Sequence, residues 1–399
     1  METSEKPVGI PLTENQKRDW LRLIRTENVG PITFRQLLNR FGSAASALEA
    51  LPELAIRGGG RRIRIPSLKT VEQEIEDTLR MGASFLCMGE PNYPRLLKFI
   101  DGAPPVITVM GSQIGEPHDV MYRPTIAIVG SRNASTIGRK MASILAREAG
   151  EAGLVVASGL ARGIDAAAHE SAISLGTIAV LASGLGKVYP PEHRLLLNKI
   201  IENNGVVFSE MPFSAEARPR DFPRRNRLIS GISLAVVVVE AAFKSGSLHT
   251  AHYAAEQGRL VLAVPGSPLD PRCEGTNTLI RDGATLITKT EHLLEAVSSQ
   301  TSLLSLSSSI EEAVAADTDV PFEVTPSSPT YTDETDEEDL HSKILRSMSV
   351  SPVAIDDIIR HTNLPTEVVL SSLLELDLAG RIEYHSRSKV GLRIQDRRT

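Results

Sequence analysis

The chain has 399 residues, a formal net charge of −6, 41% hydrophobic content and only 4% aromatic residues. That length exceeds one ordinary core, so two or three folded units are expected. The negative balance excludes a uniformly basic DNA coat, so any nucleic-acid site must be a local cluster of Lys and Arg. Scarce aromatics limit the usual sequence-tolerant grip on unpaired bases.

Cys87 and Cys273 are the two cysteines. Their separation argues against a disulfide framework or zinc knuckle and fits a reducing cytosol. The opening METSEKPVGIPLTENQKRDW has no apolar leader core, and the longest apolar run, Leu234 to Val239, has the length of a strand. A cytoplasmic protein without a membrane partner is expected.

Residues 10–80 predict a small helical domain. Trp20, Leu21, Leu23 and Ile24 supply one helical face. Gly30-Pro31 breaks the pattern, and Phe34, Leu37, Leu38 and Phe41 line the next helix. Two helices around a Val-Gly-Pro turn suit a SAM-like or helix-hairpin-helix unit, and equally a plain helical packing module. Arg57, Arg61, Arg62 and Arg64 around Gly58–Gly60 read as a solvated loop rather than a site.

Residues 81–297 alternate strands and helices. Strands are predicted at Thr125–Val129, Leu154–Ala157, Ile178–Leu181, Val206–Ser209, Leu234–Val239, Leu260–Val264 and Thr285–Ile287. Helical patterns such as Arg139–Glu151, Ala166–Leu175, His193–Asn203 and Leu248–Gln257 separate them. Near-continuous Val/Ile/Leu strands between helices imply an α/β fold, an extended Rossmann-like parallel sheet covered on both faces. Residues 298–338 are rich in Ser, Thr, Pro, Asp and Glu and read as an acidic, disordered linker. Residues 339–399 carry three helical patterns, a Gly380 cap and the alternating RIEYHSRSKVGLRI, which together outline a winged helix.

In an open parallel sheet the chemistry gathers in the loops after the strands, where helix N-termini present free N–H groups. The first such loop is Gly130-Ser131-Arg132, a turn suited to one phosphate. The second holds Ser158-Gly159 and then Asp165, which either caps the following helix or acts as a ligand. The third holds Lys187 and Tyr189, the tyrosine either stacking on a base or packing. The fourth carries Arg218, Arg220, Arg224, Arg225 and Arg227 within ten residues, and Pro223 is expected at the first helical position. The fifth is Lys244-Ser245-Gly246-Ser247. One Gly/Ser turn is common; several carrying Arg132, Lys187, Arg224, Arg225, Arg227 and Lys244 at one edge suggest a polyanion site. Against catalysis, the sequence has no GxGxxG after the first strand, no GxxxxGK[ST] loop and no HExxH pair, and no metal spacing among Asp165, Glu210 and Glu240. No enzyme, cofactor or metal is expected.

The segments AIVGSRNASTIG, VVASGLARGIDAAAHESAISLGTIAVLASGLGKVYPPEH, FPRRNRLISGIS, SGSLHTAHYAAEQGR and AVPGSPLDPRCEGTNTLIRDGA, with upstream PNYPRLL and APPVITVMG, resemble the DNA-processing protein A (DprA, or Smf) family. The resemblance is dense from about 92 to 296 and extends less specifically to both ends. It implies sequence-independent binding of single-stranded DNA, homodimers, and protection and delivery of incoming strands to the RecA recombinase during natural transformation. Carried onto this sequence, Arg132 and Lys187 would hold phosphates and Arg224, Arg225, Arg227 and Lys244 would line the groove. Gly130, Ser131, Ser158, Gly159, Gly246 and Ser247 would add backbone and hydroxyl contacts, with Tyr189 beside them. The third winged-domain helix carries Glu367, Glu375 and Asp377 and no Lys or Arg. It is therefore expected to dock a protein partner or serve a dimer, leaving the wing cations Arg387, Lys389 and Arg393 weak duplex contact. The alternative is a nucleoside-monophosphate-processing enzyme, since the sheet also resembles phosphoribohydrolases with a PGGxGTxxE helix start; SGSLHTAHY lacks that Glu.

Overall fold

The amino-terminal helices are α1 (Glu14–Ile24), α2 (Pro31–Phe41), α3 (Ala44–Arg57) and α4 (Leu68–Arg80). Each boundary has a local cause. Thr13 and Gln16 form a reciprocal capping box on α1, and Pro31 opens α2 where no N–H partner is required. Gly42, at φ 72°, closes α2 in the left-handed conformation that glycine adopts without penalty. The computed structural model describes residues 11–60, 62–111, 114, 119–299 and 334–393. The expected linker, from 300 to 333, and Arg61 lie outside the described residues. Within them the chain divides into two units, one of 74–100 and 107–299, the other of 11–73, 101–106 and 334–393.

The first unit is built on nine strands: β1 (Ala83–Cys87), β2 (Val106–Met110), β3 (Thr125–Val129), β4 (Val155–Ser158), β5 (Thr177–Val180), β6 (Val206–Ser209), β7 (Ala235–Val238), β8 (Leu260–Ala263) and β9 (Thr285–Leu286). Their order is β1-β2-β6-β5-β4-β3-β7-β8-β9. The seven strands expected from the sequence are present within one residue at either end. β1 and β2 were not among them, because no helical pattern marks them off as βα units. β2 runs antiparallel to β6, so the sheet is mostly rather than wholly parallel.

Helices α5 (Thr136–Glu151), α6 (Ile164–Ala172), α7 (Arg194–Glu202), α8 (Asp221–Gly231), α9 (Ser247–Glu256) and α10 (Glu274–Arg281) follow the strands. Ala142, Ala146, Ala149, Ala168 and Ala172 are fully buried in one cluster with Ile126, Ile128 and Val237, small side chains that let α5 and α6 lie close on the sheet. Two helix starts differ from expectation. α8 begins at Asp221, so Pro223 stands third in its first turn. α6 is preceded by Gly163 without a side-chain cap, so Asp165 is not a capping residue.

The second unit joins α1–α3 to the carboxyl-terminal elements α11 (Glu334–Arg346), β10 (Val353–Ala354), α12 (Ile355–Thr362), α13 (Thr366–Leu378), β11 (Ile382–Ser386) and β12 (Lys389–Leu392). The three strands pair antiparallel in the order β10-β12-β11, giving the expected winged helix. Residues 334–338, expected in the linker, are the first turn and more of α11.

Candidate nucleic-acid interface

Chain order along the sheet reverses at β3, which has β4 on one side and β7 on the other. In doubly wound sheets the crevice outside the strand ends at such a reversal is where ligands sit. The loop after β3 is fixed there by backbone. The Ser131 amide donates to the Glu240 carbonyl at 2.7 Å. A Cβ on Gly130 would lie 2.6 Å from Ile164 and 2.9 Å from that same carbonyl oxygen, so only glycine allows the approach. The Glu240 carboxylate accepts from the amide and hydroxyl of Ser135, and the Ser135 hydroxyl caps the Gly138 amide at 2.8 Å, fixing the start of α5.

Arg132 leaves this turn exposed, with its guanidinium 4.7 Å from the centre of the Phe222 ring at the start of α8. Tyr189, on the loop after β5, meets the same ring edge-on at 5.4 Å between centroids. These three side chains, with Gly159, Ala161, Arg162 and Pro190, line a small open pocket. A cation stacked on an aromatic face keeps its outer N–H groups for an anion while the rings offer apolar area beside it.

A buried polar layer supports the pocket floor. Arg225 is 5% exposed, and its Nη1 donates to the carbonyls of Gly159 and Val180, at 2.6 and 2.5 Å. A Cβ on Gly159 would collide with that guanidinium. Asp165 accepts from the amides of Gly159 and Ala161, at 3.1 and 3.3 Å, tying the loop after β4 to α6. Burial raises its carboxyl above the ordinary range, against the pull of Arg225 and those two donors. Burial also lowers the Arg225 pKa to about 10, partly offset by Asp165, which leaves it cationic at neutral pH. His169 lies in the same layer, its pKa lowered to about 3 by burial and then by Arg225 and His193. The Thr177 hydroxyl donates to the Val156 carbonyl, so it accepts from His169 Nδ1, which carries the proton of a neutral ring.

Arg132, Gly159 and Tyr189, expected at the site, converge on the pocket; Gly130 and Ser131 precede Arg132 in the same turn without lining it. Lys187 and Lys244 are exposed on the loops after β5 and β7 at the same edge; Lys187 stands 3.8 Å from the still more exposed Glu216, a weak pairing. Gly246 accepts from Asn226 Nδ2 at 3.0 Å, and the Ser247 hydroxyl lies 2.8 Å from that of Ser245. Arg224 is half exposed and its Nε lies 3.0 Å from the buried Glu210 carboxylate, which also pairs with Arg227, 12% exposed. Two expectations are corrected. Ser158 is wholly buried and donates to the Ile128 carbonyl at 2.7 Å, and Arg225 is consumed by carbonyls, so neither reaches the surface. Sequence reasoning passed over Phe222 and Arg162. The signals were there: one aromatic at the head of an arginine run, and one arginine between Gly159 and Gly163.

Among the described residues no group of three or more His, Cys, Asp or Glu is placed to hold a metal ion, and no helix is long and apolar enough to cross a membrane. The fold and the pocket together define an α/β protein with an arginine-lined, aromatic-backed crevice at the switch point of a Rossmann-like sheet. The model of the DNA recombination-mediator protein A family matches residues 84–298, flanked by matches to a DprA-like N-terminal HHH domain at 14–76 and a DprA winged helix domain at 328–386; the chain belongs to this family. It is 31% identical to Protein Smf of Synechocystis sp. over 97% of this chain and 100% of that protein. It is 38% identical to the DNA processing protein DprA of Bacillus subtilis over 54% of this chain and 71% of that one. The solved structure of DNA processing protein A from Streptococcus pneumoniae superposes with a TM-score of 0.58 at 32% identity, covering 72% of this chain and 98% of that one.

Proposed function

We propose that this chain binds single-stranded DNA without sequence preference along the carboxyl edge of its sheet, protects it, and delivers it to a RecA-type recombinase. The reading includes a cytoplasmic, non-catalytic homodimer; the family's description as a recombination mediator supports the hand-over. One observation carries the binding mode: Arg132 lies on Phe222 with Tyr189 at the ring edge. This places a phosphate-seeking cation beside apolar ring surface, and an unpaired base has a free face to stack there, whereas a paired base does not. Lys187, Arg224 and Lys244 extend the path for the backbone, and Gly130, Ser131, Gly159, Gly246 and Ser247 let it approach the loops. Ser158 and Arg225 act from below by holding the loop after β4, and Arg227 acts through Glu210.

Fluorescence anisotropy with oligo-dT and mixed-sequence oligonucleotides across a salt series tests the assignment. Arg132→Ala with Lys187→Ala should weaken all single strands about equally, by roughly ten-fold or more at two lost charge-assisted contacts. The log–log salt slope should shrink by roughly 0.7 for each contact removed. Wild-type affinity in the double variant would reject the site. Base release from a panel of nucleoside monophosphates would reject the non-catalytic reading.

A further inference from the structure

The third helix of a DNA-reading winged helix lies in the major groove and must keep one face free for base edges. In this chain the carboxyl-terminal half of α13 has no such face, because Ser372 to Leu378 are buried without interruption, and the residues left exposed in its first half, Thr366, Glu367 and Leu370, include no cation. The burial has two sources. Val369, Leu373 and Leu376 join Ile344, Ile358 and Val390 in the winged-helix core. Leu374 and Leu378 instead join Phe34, Leu37, Leu51 and Leu54, the core of the amino-terminal helices.

The polar groups divide in the same way. The Thr33 hydroxyl on α2 donates to Asp377 Oδ2 at 2.5 Å, a buried pair. Arg40 Nη1 donates to the Ser371 hydroxyl at 2.8 Å, and Gln36 Nε2 to the Tyr384 hydroxyl at 3.1 Å. Asn28 Nδ2 donates to the Leu378 carbonyl at 3.0 Å, satisfying one of the acceptors that a helix end leaves open. Asn28 Oδ1 accepts from Arg393 at 2.7 Å, so one of the wing cations is engaged as well.

Backbone contact is tightest at the glycine turn that closes α3. A Cβ on Gly58 would lie 2.1 Å from the Glu375 carbonyl oxygen, and one on Gly60 2.7 Å from Ala379 Cα. The φ of Gly58 is −64°, open to any residue. Glycine is needed there for room and not for backbone freedom. Arg57, Arg62 and Arg64 are exposed, as a solvated loop requires, but Gly58 and Gly60 between them form a notch filled by α13.

We propose that the winged helix is an intramolecular docking module, its third helix seated in the Gly58–Gly60 notch of the amino-terminal helical domain of the same chain. It closes the two ends of the polypeptide on each other and does not read duplex DNA through α13. This inference is independent of the single-strand site.

Hydrogen exchange of the full chain, followed by mass spectrometry, tests it through effects that cross the contact. Gly58→Val, on the amino-terminal side, should speed exchange in 372–379 at least ten-fold while oligo-dT affinity stays within two-fold. Leu378→Asp, on the winged-helix side, should do the same to α3. If Gly58→Val unfolds its own domain, seen as lost protection throughout α1, the Leu378→Asp arm decides alone. The proposal is overturned if neither variant alters exchange on the opposite side of the contact. It is equally overturned if protection of 372–379 grows with protein concentration, which would place the contact between chains, or if a duplex oligonucleotide further protects those residues.

Discussion

Arg224 and Arg225 are neighbours in sequence and opposites in role. Arg224 is half exposed, with one buried carboxylate beside it, whereas Arg225 fills its donors with the Gly159 and Val180 carbonyls beneath the pocket floor. Removing a buried cation leaves those acceptors open and Asp165 without its counter-charge. Arg225→Met is therefore expected to lower stability by about 3–5 kcal/mol, read from urea unfolding. Arg224→Ala should leave stability within about 0.5 kcal/mol and reduce oligonucleotide affinity alone. The assignment fails if Arg225→Met is as stable as wild type. The same contrast explains what was readable at this scale. Arg132 follows a strand through a Gly-Ser turn, so its place at the edge is a local property. The burial of Arg225 depends on carbonyls contributed by β5 and the loop after β4, dozens of residues away.

Among elements, α13 shows most clearly what a single charge does within a packed face. Burial lifts the Asp377 carboxyl to about 7, against the Thr33 hydroxyl and Arg393, with Glu383 adding to the rise. The other polar groups facing this part of the helix are Gln36 and Asn28 from the amino-terminal side, Tyr384 from the wing, and Glu375 on α13 itself with His341 and Arg57. A carboxyl with a raised folded pKa favours the docked state fully below its ordinary value of 3.8, and that contribution is lost as pH rises through 7. Asp377→Asn keeps an acceptor for Thr33 and removes the buried charge. It is expected to stabilise this unit by about 1–3 kcal/mol at pH 8 and to have little effect near pH 4, close to the ordinary value of the carboxyl. Urea midpoints at the two pH values check this, and an equal change at both would discard the protonation argument. The winged helix and the seven central strands were legible because 2.0- and 3.6-residue periodicities are written locally. Strand β2 was not, since pairing antiparallel with β6 is a choice of partner rather than of pattern.

The described residues fold as two units, and the pocket lies in the sheet unit. A ligand stabilises what it binds, so oligo-dT at about one hundred times its dissociation constant should stabilise that unit by about 2.7 kcal/mol. Calorimetry of the full chain should show the sheet transition moving up while the transition of the joined amino- and carboxyl-terminal helices stays in place. Movement of the latter alone would put the nucleic acid on the wrong unit. The net charge of −6 says nothing about this division, because the cations that matter are concentrated on the loops after β3, β5, β6 and β7.

Sequence alone determined the alternation of strands and helices, the winged helix, and the edge on which Gly-Ser turns and cations recur. Each follows from periodicity, turn chemistry and the rule that loops after parallel strands share one side of a sheet. Tertiary structure decided which arginine is surface and which is scaffold, that Phe222 and Tyr189 back Arg132, and that Gly58 and Gly60 after α3 receive a helix more than 300 residues away. These depend on which distant backbones come within a few ångströms, a property of packed surfaces that no window of sequence contains.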